Sequence, residues 1–203
     1  MSLTDTQIWD LARRMDVPLV FCGFKDELNG EKLQYNKSYI INMENEFDED
    51  GHRNSGSHYT CFQVNKYPNG KKEGVYLDSF GMPPPEIIED FCKIKLPYST
   101  KDIQSLMNSA CGWYCLAFLH FINSSEHRTK DLYTDSGLFT DLFDDLNKST
   151  DHLKNEFILK HFFRSADPSK RTPVEINGMS VVPANPDSII KKDEDYGCCE
   201  EKK

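Results

Sequence analysis

Four residues whose side chains suit acyl transfer occur in the order His58, Asp78, Gln104 and Cys111. A hydrolase built on sulfur needs a thiolate, and an imidazole that forms it and later protonates the leaving amine. It also needs a group that holds the imidazole's tautomer, and donors aimed at the tetrahedral oxyanion. Cys111 opens the run Asn108-Ser109-Ala110-Cys111-Gly112-Trp113-Tyr114-Cys115-Leu116-Ala117-Phe118-Leu119, where small and turn-forming residues give way to an apolar helix. A cysteine at such a junction meets unpaired N–H groups and the positive end of the helix dipole, both of which favour its thiolate. Its own N–H supplies part of an oxyanion hole, and the Gln104 side-chain amide offers the second donor. His58 begins one strand-like run and Asp78 lies in the next, across a hairpin. Neighbouring strands run ~4.8 Å apart, so Asp78 can hold one ring nitrogen of His58 while the other faces Cys111.

Each of these residues alone has a plainer role. A cysteine before an apolar helix packs as a small buried residue. An Asp before Ser-Phe-Gly is a turn residue. A Gln ahead of a helix caps it or is solvated, and any of the six histidines can sit on the surface. Composition and spacing therefore leave an enzyme and a binding module both open. Cys115, one helical turn beyond Cys111, would with a histidine make half a zinc site. No second Cys-x-x-Cys or His pair completes one, so no metal and no cofactor is expected.

The elements that must carry these residues follow from periodicity. Residues 3–15 read as a helix behind Thr4-Asp5, and Asp16-Val17-Pro18 ends it. Residues 18–24 are a strand or an extended loop, and Asn29-Gly30 marks a turn. Residues 37–43, 58–64 and 75–80 read as strands, the last two joined through Pro68-Asn69-Gly70. The acidic stretch 44–56 reads as a mobile loop. Prolines before Glu86 set a short helix over 86–92, and 93–97 suggests another strand. The helix from Cys111 runs to Asn123, and 140–147 and 151–163 follow as helices. From residue 166, prolines and charge replace bulky residues. The expected division is therefore a domain over 1–165 and an extended or partly disordered tail over 166–203.

A chain of 203 residues buries a proper core, and its net charge of −9 argues against broad binding to a phosphate backbone. Lys66, Lys71 and Lys72 still gather around one turn. The first residues carry no basic-then-apolar leader, and no apolar stretch reaches the ~20 residues of a membrane span. Seven cysteines at irregular spacing do not suggest a secreted disulfide framework, so the thiols are expected reduced and the chain cytosolic.

Taken together, Gly56-Ser57-His58-Tyr59, Tyr76-Leu77-Asp78-Ser79-Phe80-Gly81, Gln104 and Ser109-Ala110-Cys111-Gly112-Trp113-Tyr114-Cys115 resemble the adenovirus maturation protease (adenain) family. That family includes proteases of virophages, Polinton elements and large DNA viruses, and shares its fold with the SUMO-processing proteases. The resemblance covers roughly residues 35–125, and Val17-Pro18-Leu19 and Lys25-Asp26-Glu27-Leu28 are similar to the virophage and Polinton members. Six residues separate Gln104 from Cys111, as in the adenovirus-type enzymes; the SUMO proteases use one fewer. Two departures stand out. Tyr59 occupies a position that is usually Trp, and Asp78 replaces the Glu of the mammalian adenovirus enzymes.

The resemblance implies an α+β fold of the papain-like, adenain type, with a central mixed sheet packed against the helix that bears the nucleophile. It implies Cys111 as nucleophile, His58 as general base, Asp78 as its orienting acid and Gln104 as oxyanion donor. The implied activity is a viral cysteine endopeptidase that cuts capsid or scaffold precursors during maturation, in the virion and the host cytoplasm, with a preference for small residues near the cut. A SUMO-type deconjugase and a catalytically silent binding module are the alternatives. An activating peptide is a further partner the resemblance allows, with Cys198 and Cys199 either disulfide-bonded to it or simply exposed thiols. The acidic charge argues against DNA as an activator, and no membrane partner is expected.

Overall fold

A computed structural model describes residues 2–124 and 131–163, together with the backbone alone of 174–176 and 179–181. The protein is α+β: a four-stranded mixed sheet packed against helices. Strands β1 (Leu19–Phe24), β2 (Lys37–Asn42), β3 (Tyr59–Lys66) and β4 (Lys72–Leu77) lie in the order β1-β2-β3-β4. β1 runs parallel to β2, while β2–β3 and β3–β4 are antiparallel. The parallel pair is joined by a short crossover that includes a 3₁₀ turn at Lys25–Gly30.

Both faces of the sheet are covered, which explains why its strands read as nearly continuous apolar runs. Alternate residues divide between two cores. Ile40, Tyr59, Cys61, Val75 and Leu77 face the larger one, with helices α1 (Asp5–Arg14), α3 (Cys111–Asn123), α4 (Leu132–Asp141) and α5 (His152–Phe162). Tyr39, Ile41, Phe62, Val64 and Tyr76 face the smaller one, closed by α2 (Glu86–Cys92) and the 3₁₀ turn. α3 is buried almost all round: ten of its residues, from Cys111 to Ile122, are buried, as its uniformly apolar sequence requires.

Local signals account for most boundaries. Thr4 and Gln7 form a reciprocal capping box at the start of α1. Pro85 precedes α2, and Lys93 ends it in the left-handed region at φ 54°. Residues 93–97 do not add a strand; Tyr76 meets Tyr98 in a single parallel bridge, and its N–H donates to the Pro97 carbonyl at 3.1 Å. The expected helix over 140–147 lies earlier, as α4, because Asp131 caps the N–H groups of Tyr133 and Thr134. Leu142 and Phe143 still reach the core, but from turns held by Asn155, whose side chain accepts from the Asp144 N–H at 2.8 Å.

The acidic stretch 44–56 is organised rather than featureless. Phe47 pairs with Arg53, Asp48 Oδ1 accepts from the N–H groups of Asp50 and His52, and the Glu46 N–H donates to Asp26. Within the expected tail, Val174–Ile176 (β5) and Met179–Val181 (β6) pair as an antiparallel hairpin. The remainder of that tail, with Cys198 and Cys199, lies outside the described residues.

Candidate active site

His58 sits one residue ahead of β3, and Asp78 one residue beyond β4, so the hairpin register brings them to the same end of the sheet. Gly56 makes the approach to His58 possible. Its φ is +85°, and a Cβ there would fall 2.0 Å from Asn42 Nδ2. Asn42 in turn accepts from the Ser57 and Glu44 N–H groups, fixing the chain on either side of the loop.

The imidazole is held on three sides. Nε2 lies 3.0 Å from Asp78 Oδ1, an oxygen that also accepts from the Phe80 N–H at 2.8 Å. Phe80 packs beside the ring with centroids 4.8 Å apart. With Nε2 engaged by Asp78, the other ring nitrogen remains for the Cys111 thiol, and the two groups shift each other's acidity. Asp78 is buried, and the His58 side chain keeps 17% of its surface exposed, enough to meet a substrate.

Cys111 is the first residue of α3, whose N-cap position, Ala110, contributes no side-chain cap. The first-turn N–H groups are thus left for other acceptors. Burial opposes ionisation of the thiol, but hydrogen bonds from His58 and from the Tyr59 and Gly112 N–H groups, with the charge on His58, outweigh it and hold the thiol below its ordinary value. Burial likewise disfavours a charged His58, yet its hydrogen bonds to Asp78 and Cys111 and their negative charge raise it to about 9. The two shifts run in opposite directions, and both favour the thiolate–imidazolium form of the pair.

Gln104 is buried on the turn that follows α2 and the Tyr98 bridge. Its Oε1 accepts from Ser79 Oγ at 2.8 Å, and its Nε2 donates to the Asn108 carbonyl at 3.0 Å. Asn108 joins this amide to the start of α3, because its Oδ1 accepts from the Ala110 N–H at 3.3 Å. Its own amide donates to Glu156 of α5 at 2.8 Å.

All four residues singled out in the sequence therefore belong to one connected region, with His58 bonded to Asp78 and electrostatically coupled to Cys111, and Gln104 reaching the start of α3 through Asn108. Ser79 and Asn108 went unnoticed in the sequence, since a serine in a turn and an asparagine before a helix have ordinary local explanations. Cys115 is placed in the core, where its thiol meets the Tyr59 carbonyl at 3.5 Å. In the lysine cluster, Lys71 pairs with Glu73, while Lys66 and Lys72 stand 5.7 and 5.0 Å from the centre of the Tyr35 ring. No helix among the described residues is long and apolar enough to cross a membrane. No protein-family model matches this chain, and no curated protein sequence matches it either.

Proposed function

We propose that this protein is a cysteine endopeptidase of the papain-like, adenain type, with Cys111 as nucleophile. The observation that carries the reading is His58, set between a buried carboxylate and the Cys111 thiol, with the acidities of His58 and Cys111 displaced in opposite directions. A packing histidine has no need of both partners.

In this reading the Cys111 thiolate attacks the scissile carbonyl carbon, a C–S bond forms, and the carbonyl π pair moves onto oxygen. The resulting oxyanion accepts from Gln104 Nε2–H and the Cys111 N–H. The His58 imidazolium gives its proton to the amide nitrogen as the C–N bond breaks, leaving a thioester. His58, now neutral, takes a proton from water as the water adds to that thioester. The thiolate then leaves, and the acid product departs. Asp78 holds the ring orientation throughout.

The substrate class rests on the motif resemblance: an extended segment of a viral capsid or scaffold precursor with small residues at the cut. Incubating the full chain with a peptide library rich in Gly at and before the scissile bond, beside a ubiquitin-like modifier extended past its terminal Gly-Gly, tests the reading. Cleavage of internal peptide bonds, absent in Cys111→Ala and His58→Ala, is expected. Processing of the modifier alone would make the protein a deconjugase. No cleavage of either, with Cys111 titrating as an ordinary thiol, would make it a binding module.

A further inference from the structure

Asp78 and Ser79 are consecutive, and each grips a different part of the site. Asp78 takes His58, while Ser79 takes Gln104 twice and its neighbour Ile103 once. The Ser79 carbonyl accepts from the Ile103 N–H at 2.8 Å and the Gln104 N–H at 3.1 Å, and its hydroxyl donates to Gln104 Oε1 at 2.8 Å. Ser79 is 2% exposed and Gln104 likewise 2%, so water does not compete for these bonds. The turn that carries both residues is closed by the Gly81 N–H on the Asp78 carbonyl at 3.0 Å.

The chemistry of the Gln104 amide makes this placement consequential. A glutamine side chain presents an oxygen and an NH₂ of nearly equal size, and only the NH₂ can stabilise an oxyanion. The Asn108 carbonyl accepts one Nε2 proton at 3.0 Å, and the second has no acceptor among the described residues. A hydroxyl donating to Oε1 at the opposite edge favours that orientation and also withdraws charge from the amide, strengthening its remaining N–H as a donor.

We propose that Ser79 is a positioning residue for the oxyanion donor: its hydroxyl fixes the Gln104 amide so that an Nε2 proton is presented to the developing negative charge. This rests on the cysteine-peptidase reading and extends it to a residue that never touches substrate. One turn, 78–81, thereby sets both the base and the donor.

Two reagents that attack the same sulfur separate this role from a general structural one. With 4-nitrophenyl acetate, the Cys111 thiolate forms a C–S bond at the ester carbonyl, an oxyanion develops, and 4-nitrophenolate leaves with the C–O bonding pair. With iodoacetamide, displacement of iodide at a saturated carbon passes through no oxyanion. Rates of both are followed at Cys111 by mass spectrometry in the full chain. Removing an oxyanion donor costs on the order of 10²-fold, so Gln104→Ala is expected to slow acetylation by about that factor and Ser79→Ala by roughly tenfold, with alkylation unmoved. Because Ser79 acts through Gln104, adding Ser79→Ala to Gln104→Ala should cost nothing more. Ser79→Thr, which keeps the hydroxyl, should restore acetylation, and Ser79→Cys, which keeps the volume but donates weakly, should match Ala and serves if the alanine variant does not fold.

The positioning role is overturned if Ser79→Ala acetylates like the wild type while Gln104→Ala does not. Equal losses in both reactions, or a further loss in the double variant, overturn it as well. No loss in either single variant removes Gln104 from the hole and the inference with it. Failure of the peptidase reading looks different: Cys111 of the wild type would then alkylate with the pH profile of an ordinary thiol.

Discussion

Asp78 Oδ1 receives two hydrogen bonds at once, from His58 Nε2 at 3.0 Å and from the Phe80 N–H at 2.8 Å. The carboxylate is thus anchored by its own turn before it orients the ring. An acid held this way cannot swing out to solvent, and the imidazole it faces keeps a single orientation toward Cys111.

Asp78→Ala tests that dependence. Loss of the orienting acid in a triad of this kind costs on the order of 10⁴-fold in turnover, and a loss of that order in peptide hydrolysis is expected. His58, raised to about 9 in the wild type, should titrate below that value once the carboxylate is gone, because only Cys111 is then left to offset the burial that disfavours its charge. NMR titration of the His58 ring protons reads this directly. An unchanged His58 midpoint would mean that Asp78 does not hold the imidazolium.

The paired shifts set the pH window of reactivity. The Cys111 thiol lies below its ordinary value, so its thiolate persists to lower pH than that of a free cysteine, at ~8.5. His58 keeps its proton up to about 9, so peptide hydrolysis, which needs that proton for the leaving amine, declines above it. Iodoacetamide labelling of Cys111 should show the low midpoint in the wild type. In His58→Ala, burial is no longer outweighed, and the midpoint should move up to that of an ordinary thiol or beyond.

Gly81 closes the turn that carries Asp78 and Ser79. Its φ is +73°, and a Cβ there would stand 2.6 Å from the Thr100 carbonyl oxygen. Gly70, in the β3–β4 turn, has a φ of +83° but nothing within 4 Å. Gly70→Ala should therefore cost only the backbone strain of ~1 kcal/mol, and Gly81→Ala that strain plus a backbone clash, for about 3 kcal/mol or more. Urea midpoints of the two variants give the comparison; equal costs would rule out the close approach.

Tyr59 ties the strand behind His58 to the N-terminal helix, because its hydroxyl donates to Asp5 Oδ1 in a short hydrogen bond. The Cys22 thiol shares that carboxylate oxygen at 3.9 Å. Hydrogen bonds to charged groups contribute ~1.5–3 kcal/mol, so Tyr59→Phe should lower unfolding free energy by about that amount. Denaturant unfolding measures it, and a change within ~0.5 kcal/mol would show that α1 is held by packing alone.

Much of this protein is decided by short-range rules that can be read from the chain. Thr4 caps α1 with Gln7, Pro68-Asn69-Gly70 turns β3 into β4, and an unbroken apolar run makes α3 a buried helix with Cys111 at its start. The residue types at 58, 78, 104 and 111 already confine the chemistry to that of a thiol, an imidazole, an acid and an amide. The hairpin already let Asp78 meet His58, but the bonds that tie Gln104 to Ser79 and Asn108 were not legible, because neither partner stands out in the sequence. Periodicity places a residue on a face but does not say which strand lies beside it.

Only the tertiary structure decided that β1 runs parallel to β2, since residues 18–24 alone fit a strand or a loop. It also decided that α4 ends at Asp141, leaving Leu142 and Phe143 to reach the core from turns. The acidic stretch, a loop by composition, became a small hairpin once Asp26 and Arg53 were brought against Glu46. Ser79 shows the limit most plainly. Its neighbours in sequence explain it as a turn residue, and its hydrogen bond to Gln104 spans 25 positions that only the folded chain brings together.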